Sequence, residues 1–266
     1  MENERLIADF LQNGFWYHSI KVNQVLKSNG TFDHAGYISK YGFPDSLRGK
    51  DVLDVGCADG FFSFEFEKRE ASSVLAVDIN RFDGSPAVSP SVRASEKFLK
   101  KYEDIHNRNI TFMELAKKLG LKHVNNFLIA KKLINSNVKF KYFSVYDLEK
   151  LGRKFDLVFC GDLIEHLKNP IQAAEQLAKV CGNLCIISLS NPIKYSSVLN
   201  VIPGLKNRLL AYYGDFGGTF FHFHPSTFKQ LLIDCGFREV EIYSSFKILN
   251  RRYNYKSARV IYHCKV

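Results

Sequence analysis

The 266-residue sequence contains no run of 18 or more apolar residues, so no part of it reads as a membrane span. Its start, Met1-Glu2-Asn3-Glu4-Arg5, lacks the basic and then apolar stretches of a secretory signal. The six cysteines (Cys57, Cys160, Cys181, Cys185, Cys235, Cys264) form no C-x-x-C pair and no dense framework. They read instead as small buried thiols, in keeping with a reducing cytoplasm. No internal repeat, collagen-like period, coiled-coil pattern or low-complexity linker appears. An excess of acid is also absent: 37 Lys and Arg face 27 Asp and Glu, a net charge of +10. That balance permits an acidic partner such as RNA, but no RRM or KH signature accompanies it. The remainder, 46% apolar and 24% charged, is an ordinary globular composition.

Short apolar runs of strand length recur along the chain at Lys50–Val55, Ser73–Asp78, Val138–Tyr146, Phe155–Cys160 and Leu184–Ser190. Helical patterns separate them. Phe61–Lys68 is one; another opens at Pro170 and places Ile171, Ala174, Leu177 and Ala178 on one face. Strands alternating with helices predict a parallel sheet covered on both sides. The ending differs. Pro225–Cys235 predicts a helix with Phe228, Leu231, Leu232 and Cys235 on its stripe and Gly236 as its stop, and Val240–Phe246 and Ala258–Cys264 then predict a hairpin-like antiparallel edge. One domain over 1–266 is expected, with an N-terminal aromatic segment over 1–47. Insertions at 81–124 and 191–223 interrupt the alternation, where long connections shape ligand sites.

Ligands in such sheets bind beyond the carboxyl ends of the strands. Three features converge there. Asp54-x-Gly56-x-x-x-Gly60 occupies a strand-turn-helix junction, where glycine lets backbone approach a ligand. Asp78 ends the next strand, where a carboxylate can accept both hydroxyls of a ribose. Asp147 follows the third strand, placed to accept from an adenine amino group. A nicotinamide dinucleotide fits less well, because Ala58 breaks G-x-G-x-x-G and Asp54 and Asp59 oppose two phosphates. S-adenosylmethionine carries an ammonium and a sulfonium and no phosphate, so acid around the turn favours it.

Val52-Leu53-Asp54-Val55-Gly56-Cys57-Ala58-Asp59-Gly60 resembles motif I of class I S-adenosylmethionine-dependent methyltransferases. Asp78 and Phe155-Asp156-Leu157-Val158-Phe159-Cys160 match that family's next landmarks in order, over roughly Arg48 to Phe246. The resemblance implies a Rossmann-like α/β fold, a seven-stranded mostly parallel sheet ordered 3-2-1-4-5-7-6, with strand seven antiparallel and helical insertions forming a cap. It implies donor contacts from Asp54, Gly56, Cys57, Ala58, Gly60, Asp78, Ile79, Tyr146, Asp147, Cys160 and Trp16. Phe15-Trp16-Tyr17-His18-Ser19-Ile20, Asp59-Gly60-Phe61-Phe62-Ser63-Phe64-Glu65 and Cys160-Gly161-Asp162-Leu163-Ile164-Glu165-His166-Leu167 are similar to a subgroup related to tRNA wobble-uridine carboxymethyltransferases.

Methyl transfer is a displacement at an already activated carbon, helped by alignment, exclusion of water and, for a hydroxyl acceptor, a base. Candidate catalytic residues are Asp162, His166 and His222. Two other readings stand beside this one. Asp162 and Glu165 match a capping box. Alternatively, Asp162, Glu165 and His166 with His222 could hold a divalent metal, although a metal-free site is favoured. Trp16, Tyr17 and His18 are either an aromatic plug or a lid. Tyr212, Tyr213, Phe216, Phe220 and Phe221 pack a cap or stack on a flat acceptor. Lys97, Lys100, Lys101, Lys117, Lys118 and Lys122 are interspersed with acids, as on a solvated helix face. The expected activity is methyl transfer to O or N of a small metabolite or sugar. A tRNA-modifying enzyme and a non-catalytic S-adenosylmethionine-binding protein are the alternatives.

Overall fold

The computed structural model describes residues 2–79, 109–122, 124–190, 211–216 and 219–266. Helix α1 (Glu2–Asn13) leads into two short parallel strands, β1 (Trp16–His18) and β2 (Gly30–Phe32). An alternating body follows: β3 (Asp51–Val55), α2 (Phe61–Lys68), β4 (Ser73–Asp78), α3 (Ile110–Lys118), α4 (Asn126–Leu133), β5 (Lys139–Tyr142), β6 (Phe155–Gly161), α5 (Pro170–Val180) and β7 (Cys181–Ser190). The chain closes with the hairpin β8 (Ala211–Phe216) and β9 (Thr219–Phe223), helix α6 (Pro225–Asp234) and the long hairpin β10 (Glu239–Asn250) and β11 (Tyr255–Lys265).

Seven strands form one sheet in the order β5-β4-β3-β6-β7-β11-β10. Numbered within the sheet, that order is 3-2-1-4-5-7-6. The five from β5 to β7 are parallel, and β11 runs antiparallel to both neighbours. Its central strands are mostly apolar because both faces are covered, with Asp54 of β3 a buried exception. Leu53 and Val55 of β3 and Val158 and Cys160 of β6 join the core under α5 and α6. Val52, Leu157 and Phe159 point the other way, into a core shared with α2, α3, α4 and the N-terminal segment. Because β11 is reversed, its first residues lie at the carboxyl ends of the parallel strands, with Arg259 opposite Ser190.

Several boundaries differ from the sequence expectation. The third strand stops at Tyr142; Ser144 accepts the Tyr146 N–H and starts a 3-10 turn over Val145–Leu151. The inner stripe of α5 is Ala173, Ala174, Leu177 and Ala178, with Ile171 outside at 54% exposure. The closing hairpin is longer at both ends than the apolar runs that announced it. The β1–β2 pair and the β8–β9 hairpin carry no pattern that marked them as strands. All six cysteines are buried and free. Of the two insertions, 81–108 and 191–210 lie outside the described residues, and with them Lys97, Lys100 and Lys101; so do the side chains of Tyr212 and Phe216. Among the described residues no helix is long and apolar enough to cross a membrane.

Candidate active site

The turn after β3 is built from three left-handed residues, Gly56 (φ 73°), Ala58 (φ 47°) and Gly60 (φ 92°). Gly60 is required twice over, because a Cβ there would also stand 2.7 Å from the Phe127 ring. The N–H groups of Gly56 and Cys57 both donate to the Val77 carbonyl, at 2.9 and 3.2 Å, which folds the turn onto β4. Asp78 at the end of β4 completes the closure: it accepts the Ala58 N–H at 2.8 Å and the Ile79 N–H at 2.7 Å. A carboxylate has about four acceptor directions, so two remain for a ligand.

Asp54 lies beneath this turn rather than on its surface. It is buried, and Ser63 of α2 donates its hydroxyl to it. Burial pushes its carboxyl up to about 7, against the Ser63 bond, with Asp78 nearby adding to the rise. Its role is to pin α2 to β3. Asp147 lies in the 3-10 turn beyond β5, ion-paired with Lys150 at 2.6 Å. The side chain of Leu163, after β6, reaches over Gly56.

The N-terminal segment is tied to the same turn. Asp59 is buried and accepts the His18 N–H at 2.9 Å and the Tyr17 N–H at 2.5 Å. Asn126 of α4 donates both to Asp59, at 3.3 Å, and to the Phe15 carbonyl, at 2.6 Å. Trp16 turns away from the turn. Its indole is buried against Phe10, with Nε1 donating to the Phe10 carbonyl at 3.0 Å. Its placement is that of a plug; Tyr17 reaches Arg259, and the His18 ring packs against Phe61, Phe62 and His34.

Beyond β6 the chain divides its side chains between two sides. Leu163 covers the glycine turn, whereas Asp162 and Glu165 reach toward β7 and β11. Asp162, itself left-handed at φ 49°, accepts the Ser188 hydroxyl at 2.6 Å and lies 2.5 Å from Arg259 Nε in an ion pair. Arg259 is 1% exposed and also donates to the Ala258 carbonyl and the Ser257 hydroxyl. Burial opposes its charge, but Asp162, with Tyr17, Tyr41 and Glu165 behind it, outweighs burial and raises its pKa. The half-buried Tyr17 phenol hydrogen-bonds the same guanidinium. Glu165 is fully buried; Oε1 accepts the Ser190 N–H at 2.8 Å, while Oε2 has no hydrogen-bond partner among the described residues. Burial raises its pKa, with His166 opposing and Asp162 reinforcing. The β8–β9 hairpin returns over this turn, where Thr219 and His166 meet at 3.4 Å.

These contacts replace the capping-box reading. The short 3-10 turn Ile164–His166 is capped by Leu163 without a side-chain bond, because both carboxylates are engaged by β7 and β11. The metal alternative is not supported by the geometry: no group of three or more His, Cys, Asp or Glu converges on one point among the described residues. The four candidate ligands do not assemble, since Asp162 is held by Arg259 and Ser188 and Glu165 by Ser190. Cys57 and Cys160 are buried in opposite cores, so only their backbones can reach a ligand. The Tyr146 hydroxyl accepts the Asn169 N–H at 3.3 Å. Sequence reading missed Arg259 and His34, the partner of His18 in an inner pair. Both rings are buried, 5.3 Å apart, and burial lowers the His18 pKa to about 3, with Arg259 adding to the fall. Arg259 had one available signal: it is the only charged residue between Lys256 and His263, in a run otherwise fit for a strand.

Comparison with known proteins gives a consistent frame. A family described as "Methyltransferase domain" matches residues 36–242. The chain is 25% identical over 132 residues to a tRNA U34 carboxymethyltransferase of Campylobacter fetus, covering 50% of this chain and 33% of that one. It is 26% identical over 163 residues to a mitochondrial ubiquinone biosynthesis O-methyltransferase of Dictyostelium discoideum, covering 60% and 41%. It thus spans only about a third to two fifths of these relatives' lengths. Among solved structures it resembles the N-terminal domain of EvdMO1, studied with S-adenosylhomocysteine and D-fucose, at TM-score 0.55 and 14% identity, covering 99% of this chain and 94% of that one.

Proposed function

The chain belongs to the methyltransferase-domain family, and from that premise we propose that it transfers a methyl group from S-adenosylmethionine to an O or N nucleophile of a small metabolite or sugar. The observation that carries the donor is the turn from Gly56 to Gly60, closed by Asp78 through Ala58 and Ile79. In this reading Asp78 accepts the ribose hydroxyls with its remaining lone pairs, Asp147 lies toward the adenine, and the backbone of Gly56, Cys57 and Ala58 lines the methionine side. Asp54 supports the turn from below, and Ile79 contributes through its N–H.

The chain's residues supply position and dryness. In this reading Leu163 over Gly56, the β8–β9 hairpin at His166 and the N-terminal strand on Asp59 are the elements that would close over donor and acceptor. The acceptor attacks the sulfonium methyl in line, the carbon–sulfur bond breaks toward sulfur, and a neutral thioether leaves. Exclusion of water matters because the donor's positive charge disappears in the step. His166 and His222 are the candidate bases within this cap; Asp162, held by Arg259, orients its surroundings.

A small acceptor is favoured by the enclosure of the acceptor side, and the sugar named with EvdMO1 agrees with it. The second reading, a tRNA substrate, draws on the Campylobacter relative and on the charge of +10. Donor labelled in its methyl group, incubated with protein and a host-cell extract split into RNA and small-molecule fractions, separates the two. Label in a small molecule is the expected result. Label that precipitates with RNA and is freed by ribonuclease would replace the first reading with the second, and no transfer to either fraction would overturn both.

A further inference from the structure

Glu165 carries the one buried carboxylate oxygen without a hydrogen-bond partner among the described residues. The two carboxylates that follow β6 are treated differently by their surroundings. Asp162 is satisfied on both oxygens, by the Ser188 hydroxyl and by Arg259. Glu165 is fully buried and satisfied on one oxygen alone, by the N–H of Ser190 at the tip of β7. Its Oε2 has no hydrogen-bond partner among the described residues. An unmatched buried carboxylate oxygen is costly, a cost a fold tolerates where something else completes the bond.

Its place in the sheet says what that something is. The donor turn lies over β3 and β4, and Leu163 is the residue after β6 that leans on it. Glu165 is anchored one strand further on, to β7, and the Asp162–Arg259 pair that flanks it reaches β11. The open oxygen therefore belongs to the side of β6 away from the donor turn, under the β8–β9 hairpin. Charge narrows the ligand further. Arg259 is already paired with Asp162 and bonded to Tyr17, and His166 is the cation set against Glu165, so a phosphate or carboxylate placed here would meet two acids.

We propose that Glu165 is an acceptor-binding residue, whose Oε2 takes a hydrogen bond from a neutral molecule presenting a hydroxyl or an N–H, with Tyr17 and the Asp162–Arg259 pair holding the wall around it. This rests on the methyl-transfer reading above and adds the group that selects the acceptor. An uncharged hydroxylated ring suits the site; an anionic one does not.

The test compares wild type with Glu165→Gln and Glu165→Asp as full-length proteins, using methyl-labelled donor and graded amounts of the extract fraction that wild type labels. Affinity for S-adenosylhomocysteine and thermal unfolding are measured in parallel. Gln keeps an oxygen for the Ser190 N–H, and Asp withdraws the carboxylate by one methylene. The expected result is an apparent KM for the labelled acceptor raised about tenfold or more in both variants, from the loss of one hydrogen bond to a charged group. S-adenosylhomocysteine affinity should stay within about twofold. An unchanged KM overturns the proposal, as does S-adenosylhomocysteine affinity falling in step with KM, which would make Glu165 a donor residue. Loss of melting temperature and donor affinity together in both variants would make it structural and also overturn the proposal. Absence of label with wild type would overturn the methyl-transfer reading itself, a result distinct from wild-type label retained in full by the variants.

Discussion

A buried guanidinium has to be matched by the protein, and Arg259 is matched by Asp162, Tyr17 and the carbonyl of Ala258. The pair is worth little as net stability, because desolvating both charges cancels most of their attraction. Breaking it is another matter. Arg259→Met should destabilise the protein by about 3–5 kcal/mol in denaturant unfolding, because Asp162 is then left buried and unpaired. The double variant Arg259→Met/Asp162→Asn, whose asparagine tolerates the left-handed backbone at 162, should recover much of that loss; a double variant as unstable as the single one would show that the pair does more than neutralise itself. Gly60 sets a second residue-scale limit. Gly60→Ala combines a left-handed backbone with a Cβ 2.7 Å from Phe127, and should cost well over about 1 kcal/mol while weakening donor binding.

At the scale of elements, the N-terminal strand and the glycine turn form one unit through Asp59. Asp59→Ala removes the acceptor of the Tyr17 and His18 N–H groups, at a cost of about 1.5–3 kcal/mol per bond to a charged group. Trp16 is the chain's single tryptophan and lies in that strand, so acrylamide quenching of its fluorescence reads the unit directly. Quenching should rise in Asp59→Ala, and equal quenching would show that α1 alone holds the segment. The body of the fold was legible because β3, β4, β6 and β7 are buried on both faces and read as short, mostly apolar runs. Strand β5 read too long, since Lys139 and Lys141 point to solvent at a sheet edge and Ser144 turns the chain by a local bond no hydrophobic pattern records. Strands β1 and β2 were invisible for a related reason: three residues each, they are placed by Asp59 and by long-range backbone pairing. The turn after β3 was legible from its glycines. The polar cluster on the other side was not, because Arg259 meets Asp162 only through the register of a reversed strand with β7.

Over the whole molecule, buried titratable groups pull stability in opposite directions with pH. His18 and His34 have pKa values lowered by burial, His18 to about 3, so the unfolded chain binds protons that the native state refuses. Their effect is to make stability fall as pH drops below about 6.5. Asp54 is raised to about 7, so its favourable contribution is complete below its unfolded value of 3.8 and is lost as pH rises through 7. Between pH 6 and 9 wild type should therefore lose stability relative to Asp54→Asn, followed by urea unfolding at each pH. A difference that does not change across that range would mean Asp54 is ionised in the native state.

The account turns on the donor, and titration calorimetry tests it most directly. S-adenosylhomocysteine should bind wild type at one site, NAD should not compete, and Asp78→Ala should weaken binding at least tenfold with thermal unfolding still cooperative. Unchanged affinity in Asp78→Ala would remove the ribose from the end of β4. No binding of S-adenosylhomocysteine, or displacement of it by NAD, would contradict the donor assignment itself.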